Sequence, residues 1–191
     1  MHPSKPAVRA LSLVAAVVPA LASGALAQSP PGLSLQASAV GSAPFGGDAR
    51  DVGLGGGWEG QLRVHPSRWS FGLGAEQTWH GMQSSEDKLG LLGVFLEPRV
   101  ELDVGLDFAQ PYLATRVGYS RTRYTRGSVS ASAPGFVLNG GGGFLVRLWD
   151  RFALDVGASA GIRHLGAPDP VDLGVAFNTI ARLGLMVGLG G

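Results

Sequence analysis

From Val52 to Val64 every second position is apolar or glycine: Val52, Leu54, Gly56, Trp58, Gly60, Leu62 and Val64, with Glu59, Gln61 and Arg63 falling between them. Successive side chains of a β-strand point to opposite faces, so a period of two builds one apolar and one polar face on an extended segment. The same alternation returns seven more times, over residues 33–39, 69–76, 92–99, 113–120, 138–148, 154–160 and 181–189. Eight strands are expected. After Gln28 no apolar run approaches the ~20 residues that a membrane-crossing helix requires, so a helical membrane protein is excluded.

The connections alternate in character. Residues 41–50, 81–87, 121–134 and 163–172 form longer stretches rich in Gly, Ser, Pro or charge, whereas 65–68 and 149–151 are tight. Long loops at one end and short turns at the other describe a closed, all-β, eight-stranded antiparallel up-and-down transmembrane barrel of the outer-membrane type. Segment 101–110 should be a short turn, so the flanking strands are expected to extend into it. Composition agrees with an all-β chain: 31 of 191 residues are Gly, without the triplet repeat of collagen. With 45% apolar and 15% charged residues the chain is too hydrophobic for disorder, and without cysteine it has neither disulfide nor thiolate chemistry.

The polar faces carry Glu59, Arg63, Glu76, Glu97, Arg99, Arg116, Arg147, Asp155 and Arg182, set among Gly and Ser, while Trp58, Trp69, Phe71, Phe144 and Phe152 lie on the apolar faces. Eight strands leave an interior just wide enough for side chains, which suits the glycine-rich face. Buried charges must also be paired, and these nine comprise four acids and five arginines. A charge network inside and an apolar surface toward lipid are therefore expected. Trp69, Trp79, Tyr112, Tyr119, Trp149 and Phe152 fall near strand ends, where interfacial aromatic girdles belong.

The start of the chain has a different character. Lys5 and Arg9 precede an apolar stretch from Ala10 to Val18, followed by Pro19 and by Ala25-Leu26-Ala27 ahead of Gln28. Those are the parts of a secretory signal peptide, with cleavage expected after Ala27 and the barrel domain occupying 28–191. Removing 1–27 takes away two basic and no acidic residues, so 15 against 14 becomes 13 against 14. No basic stripe is left to support nucleic acid as a partner.

Three segments carry a family resemblance: Phe95-Leu96-Glu97-Pro98-Arg99, then Pro111-Tyr112-Leu113-Ala114 leading to Val117-Gly118-Tyr119, and Ala181-Arg182-Leu183-Gly184-Leu185. Together with the alternation around them, they resemble the small outer-membrane β-barrel domains typified by OmpA and OmpX. That family usually closes on an aromatic residue, where this sequence reads Met186-Val187-Gly188-Leu189-Gly190-Gly191. The resemblance implies a location in the cell outer membrane.

Sites for chemistry are scarce. Gly55-Gly56-Gly57-Trp58-Glu59-Gly60 matches a dinucleotide fingerprint by letter, yet a strand follows it instead of the helix that would meet a pyrophosphate. No cofactor is expected, and no metal cluster is present. His65 falls in a tight turn, and His80 stands near Ser84, Ser85 and Glu86, the ingredients of a lipid A-modifying nucleophile without scaffolded spacing. Glu97 and Arg99, facing Arg116 across a turn, suggest a lumen plugged by Glu/Arg pairs, with a small pore for ions or solutes as the alternative. The expected protein is a non-enzymatic monomer with a structural or surface-interaction role. Its partners would be the bilayer and, through loop residues Arg121, Arg123, Tyr124 and Arg126, the phosphates of lipopolysaccharide.

Overall fold

A strand that crosses a membrane at a tilt needs ~9–11 residues, and each alternating segment lies within a strand longer than that. In the computed structural model they become β1 (Gly32–Phe45), β2 (Val52–His65), β3 (Trp69–Met82), β4 (Lys88–Glu101), β5 (Ala109–Arg126), β6 (Val129–Trp149), β7 (Phe152–His164) and β8 (Val175–Gly188). The structure describes residues 32–189 apart from 47, 48, 50, 83–86, 107, 128 and 167–173. The expected leader, and Ser84, Ser85 and Glu86, lie outside the described residues.

Each strand pairs antiparallel with its neighbour in sequence, and β8 returns to β1 through pairs such as Ala39↔Leu183, so the sheet closes into a barrel. Closure leaves no edge strand, which is what a sheet in lipid requires because hydrocarbon offers no partner for backbone groups. Three turns lie at one end, between β2 and β3, β4 and β5, and β6 and β7; four connections lie at the other, the loop end.

The strands run further than the alternation indicated. The expected loop over 121–134 is instead the tip of a hairpin, since β5 continues to Arg126 and β6 starts at Val129. Its turn uses Gly127 at φ 55°, a left-handed conformation open to glycine at no steric cost. Strand β7 likewise extends to His164 and carries Arg163 into the barrel. Between β4 and β5 the strands reach Glu101 and Ala109, so the extension expected there is confined to the two ends of the segment.

Outward positions are apolar and exposed: Leu35, Leu62, Leu73, Val94, Leu113, Leu138, Val156 and Leu183 form a belt around the middle. Trp69, Trp149 and Phe152 are exposed toward the turn end, with Trp149 and Phe152 packed edge to face at 5.9 Å; Trp79 and Tyr119 are exposed toward the loop end. Tyr112 departs from the girdle expected for it, because its position in β5 has the parity of Arg116 and its side chain is buried inside. Toward the loop end the interior turns apolar, where Ala49, Val52, Leu89, Leu91, Leu165 and Ala176 pack into one cluster against Met82 and Tyr124.

Candidate functional site: the charged lumen

Two carboxylates meet across the β2–β3 ladder, Glu59 directly opposite Glu76. Like charges so placed repel, and the repulsion grows out of water. Arg116, reaching in from β5, lies between them: its Nη2 donates to Glu59 Oε2 at 2.8 Å and its Nη1 to Glu76 Oε2 at 3.0 Å. The same guanidinium also donates to Glu97 Oε2 at 2.6 Å, and it lies over the ring of Phe95, 3.8 Å from the centroid. Arg116 thus ties three carboxylates from three strands.

Glu97 is the second hub. It shares its face of β4 with Arg99 because the two are two positions apart, while Pro98 points outward between them. Proline has no N–H to give, and the β4–β5 ladder skips Glu97 and Pro98. Glu97 Oε1 accepts from Arg63 Nη2 at 2.9 Å and from Arg99 Nε at 2.8 Å; its Oε2 accepts from Arg182 Nη1 at 3.0 Å besides Arg116. Four guanidiniums converge on one carboxylate.

Asp155 closes the network toward the turn end. Its Oδ2 accepts from Arg99 Nη2 at 2.9 Å and Gln36 Nε2 at 2.6 Å, and its Oδ1 from the Tyr112 hydroxyl at 2.6 Å. Removing that hydroxyl by Tyr112→Phe leaves a buried acceptor short of a partner and is expected to destabilise by about 1–3 kcal/mol, measurable as a lower urea midpoint. Glycines provide the space. A Cβ on Gly157 would stand 2.5 Å from the Tyr112 hydroxyl, and one on Gly72 would stand 2.6 Å from Arg63 Nη2.

Of the nine residues expected in the lumen, the structure brings eight together: Glu59, Arg63, Glu76, Glu97, Arg99, Arg116, Asp155 and Arg182. Arg147 is not among them. It keeps the inward parity of β6 but stands exposed at the turn end, where it lines the mouth of the barrel beyond the reach of the buried carboxylates. Arg163 is a member that the sequence reading placed in a loop; it is buried and donates to Glu76 Oε1 at 2.6 Å. Its signal was parity, since 155, 157, 159, 161 and 163 share one face.

Space along the axis is uneven. A mouth of about 660 Å³ opens at the turn end, lined by His65, Glu101, Gln110 and Arg147 among others. Among the hub residues, a cavity bordered by Glu97, Tyr112, Arg116, Asn139 and Arg182 holds about 20 Å³. That is room for about one water. Beyond it stands the apolar cluster. His80 is buried between these layers, with Nδ1 3.1 Å from the Gly53 carbonyl and Nε2 3.1 Å from Thr78 Oγ1. Both ring nitrogens are therefore engaged within the barrel wall. His65 ends β2, its Nε2 2.8 Å from Ser34 Oγ and its Nδ1 3.8 Å from Glu101 Oε1.

No protein-family model matches the sequence, and no curated protein matches it. Solved structures do match in fold. The neisserial surface protein A superposes with a TM-score of 0.62 at 14% identity, covering 83% of this chain and 97% of that one. The N-terminal barrel domain of Pseudomonas aeruginosa OprF gives 0.53 at 12% identity, covering 82% and 97%. Ail of Yersinia pestis gives 0.52 at 15% identity, covering 85% and 99%. The fold is that of the small eight-stranded outer-membrane barrels.

Proposed function

From a barrel of that fold, apolar outside and salt-bridged within, we propose that the chain is a non-enzymatic protein of the outer membrane. It would be exported by the leader over 1–27, act as a monomer, and serve as a rigid anchor for the loop-end strands at the cell surface. Its partners on this proposal are the bilayer and, at the loop end, the anionic glycolipid of the outer leaflet. The observation that supports a plugged lumen is the hub itself: Glu97 and Arg116 link partners on β2, β3, β4, β5 and β8 across the interior, and the cavity beside them takes about one water. Charge-assisted pairs in so dry a place are strong and geometrically specific, so exchanging them for a hydrated ion is unfavourable.

The wide mouth at the turn end favours a second reading, a narrow pore. Planar-bilayer recording separates the two. The purified barrel should stay electrically silent, pellet with membranes and migrate on gels according to whether it has been heated. Single-channel steps altered by Arg99→Ala would establish the pore instead, and extraction without detergent would remove the outer-membrane assignment altogether.

A further inference from the structure

Among the described residues, the outward faces of the eight strands carry no carboxylate and three cations: Lys88 at the start of β4, and Arg121 and Arg123 in β5. All three fall in one patch. The ladder sets Lys88 opposite Thr125, Gly90 opposite Arg123 and Leu92 opposite Arg121, so the cations occupy three successive rows with glycine leaving a gap among them. The result is an external groove of about 1040 Å³, bordered by Trp79, Lys88, Gly90, Leu92, Arg121 and Arg123.

Two details distinguish this patch from a merely solvated rim. Arg121 Nε donates to Ser132 Oγ and Arg123 Nε to Ser130 Oγ, each at 3.1 Å, which orients both guanidiniums and leaves their Nη donors available to a ligand. The cations are also one-sided. On the other side of the barrel the outward positions at the same end are Phe45, Leu54, Val175 and Phe177, all exposed and apolar. Directly below the groove the rows become Val94, Tyr119 and Phe136, the edge of the apolar belt.

We infer that this groove binds the phosphorylated headgroup of an outer-leaflet glycolipid. The inference rests on the outer-membrane placement proposed above and adds a site to it. A ligand here must offer negative charge at the height of the arginines and hydrocarbon immediately beneath. A phosphorylated lipid supplies both, and it approaches sideways through the leaflet, the direction in which these side chains point. Arg121 and Arg123 hold phosphate oxygens through Nη groups, Lys88 adds a compact charge, and acyl chains run down over Leu92 and Val94.

The test uses the full barrel in phosphatidylcholine nanodiscs containing either bisphosphorylated lipid A or the same lipid stripped of phosphate, with bound lipid counted by native mass spectrometry. The wild-type barrel should retain the phosphorylated lipid at least about tenfold more tightly than the stripped one, and Arg121→Gln with Arg123→Gln should abolish that preference. Lys88→Gln should weaken it less. Heat-dependent gel migration shows that each variant is folded. Equal binding of both lipids, an unchanged double variant, or displacement of the lipid by an equimolar sulfated polysaccharide would overturn the inference while leaving the barrel in its membrane. A chain that stays soluble without lipid would overturn the placement as well.

Discussion

Glu97→Ala should lower barrel stability by about 3–5 kcal/mol, the cost of breaking a buried ionic cluster from one side. Four guanidiniums, from Arg63, Arg99, Arg116 and Arg182, lose their common acceptor and stay behind in a space that admits about one water. Urea unfolding of the reconstituted barrel, followed by tryptophan fluorescence, reads this directly. Truncating Arg116 as well should cost less than the sum of the two single changes, because the charge it removes is one that Glu97→Ala leaves stranded. A loss below about 1 kcal/mol for Glu97→Ala would mean that the lumen is hydrated enough to screen its charges, and the plug would be withdrawn.

Leu183→Arg should destabilise by about 2–4 kcal/mol, the cost of an arginine facing lipid near the bilayer midplane. The position adjoins Arg182, which the structure accommodates beside Glu59 and Glu97. One residue further along β8 the side chain turns outward, 55% exposed, between Ala39 on β1 and Val156 on β7. The same guanidinium is thus stabilising at one position and disruptive at the next, since only the lumen supplies carboxylates. Leu183→Ala should cost far less, isolating charge from lost area. A neutral Leu183→Arg would mean that this face does not meet hydrocarbon.

Legibility followed the strands closely and stopped at their ends. Eight of the nine lumen charges could be named because each lies within an alternating run whose parity is local. Arg163 was missed since its run breaks at Gly161 and Ile162, where glycine gives no polarity signal. Tyr112 was misplaced for a related reason: an aromatic near a strand end suits either face, and only Arg116, four residues on, marked it as inward. The long tip of the β5–β6 hairpin looked like a loop because Ser, Ala and Arg carry little strand signal without a partner to pair with.

Period-two alternation is written residue by residue, so the number of strands, their apolar and polar faces and the sorting of charge to the inside were already contained in the amino-acid order. Which guanidinium meets which carboxylate was not. Gln36 and Asp155 are 119 residues apart, and Arg163 and Glu76 are 87. They meet because closing the sheet and staggering its register bring distant strands across a narrow lumen. The gathering of Lys88, Arg121 and Arg123 on one flank has the same origin: ladder register between β4 and β5 sets their height, a relation between strands that neither strand carries alone.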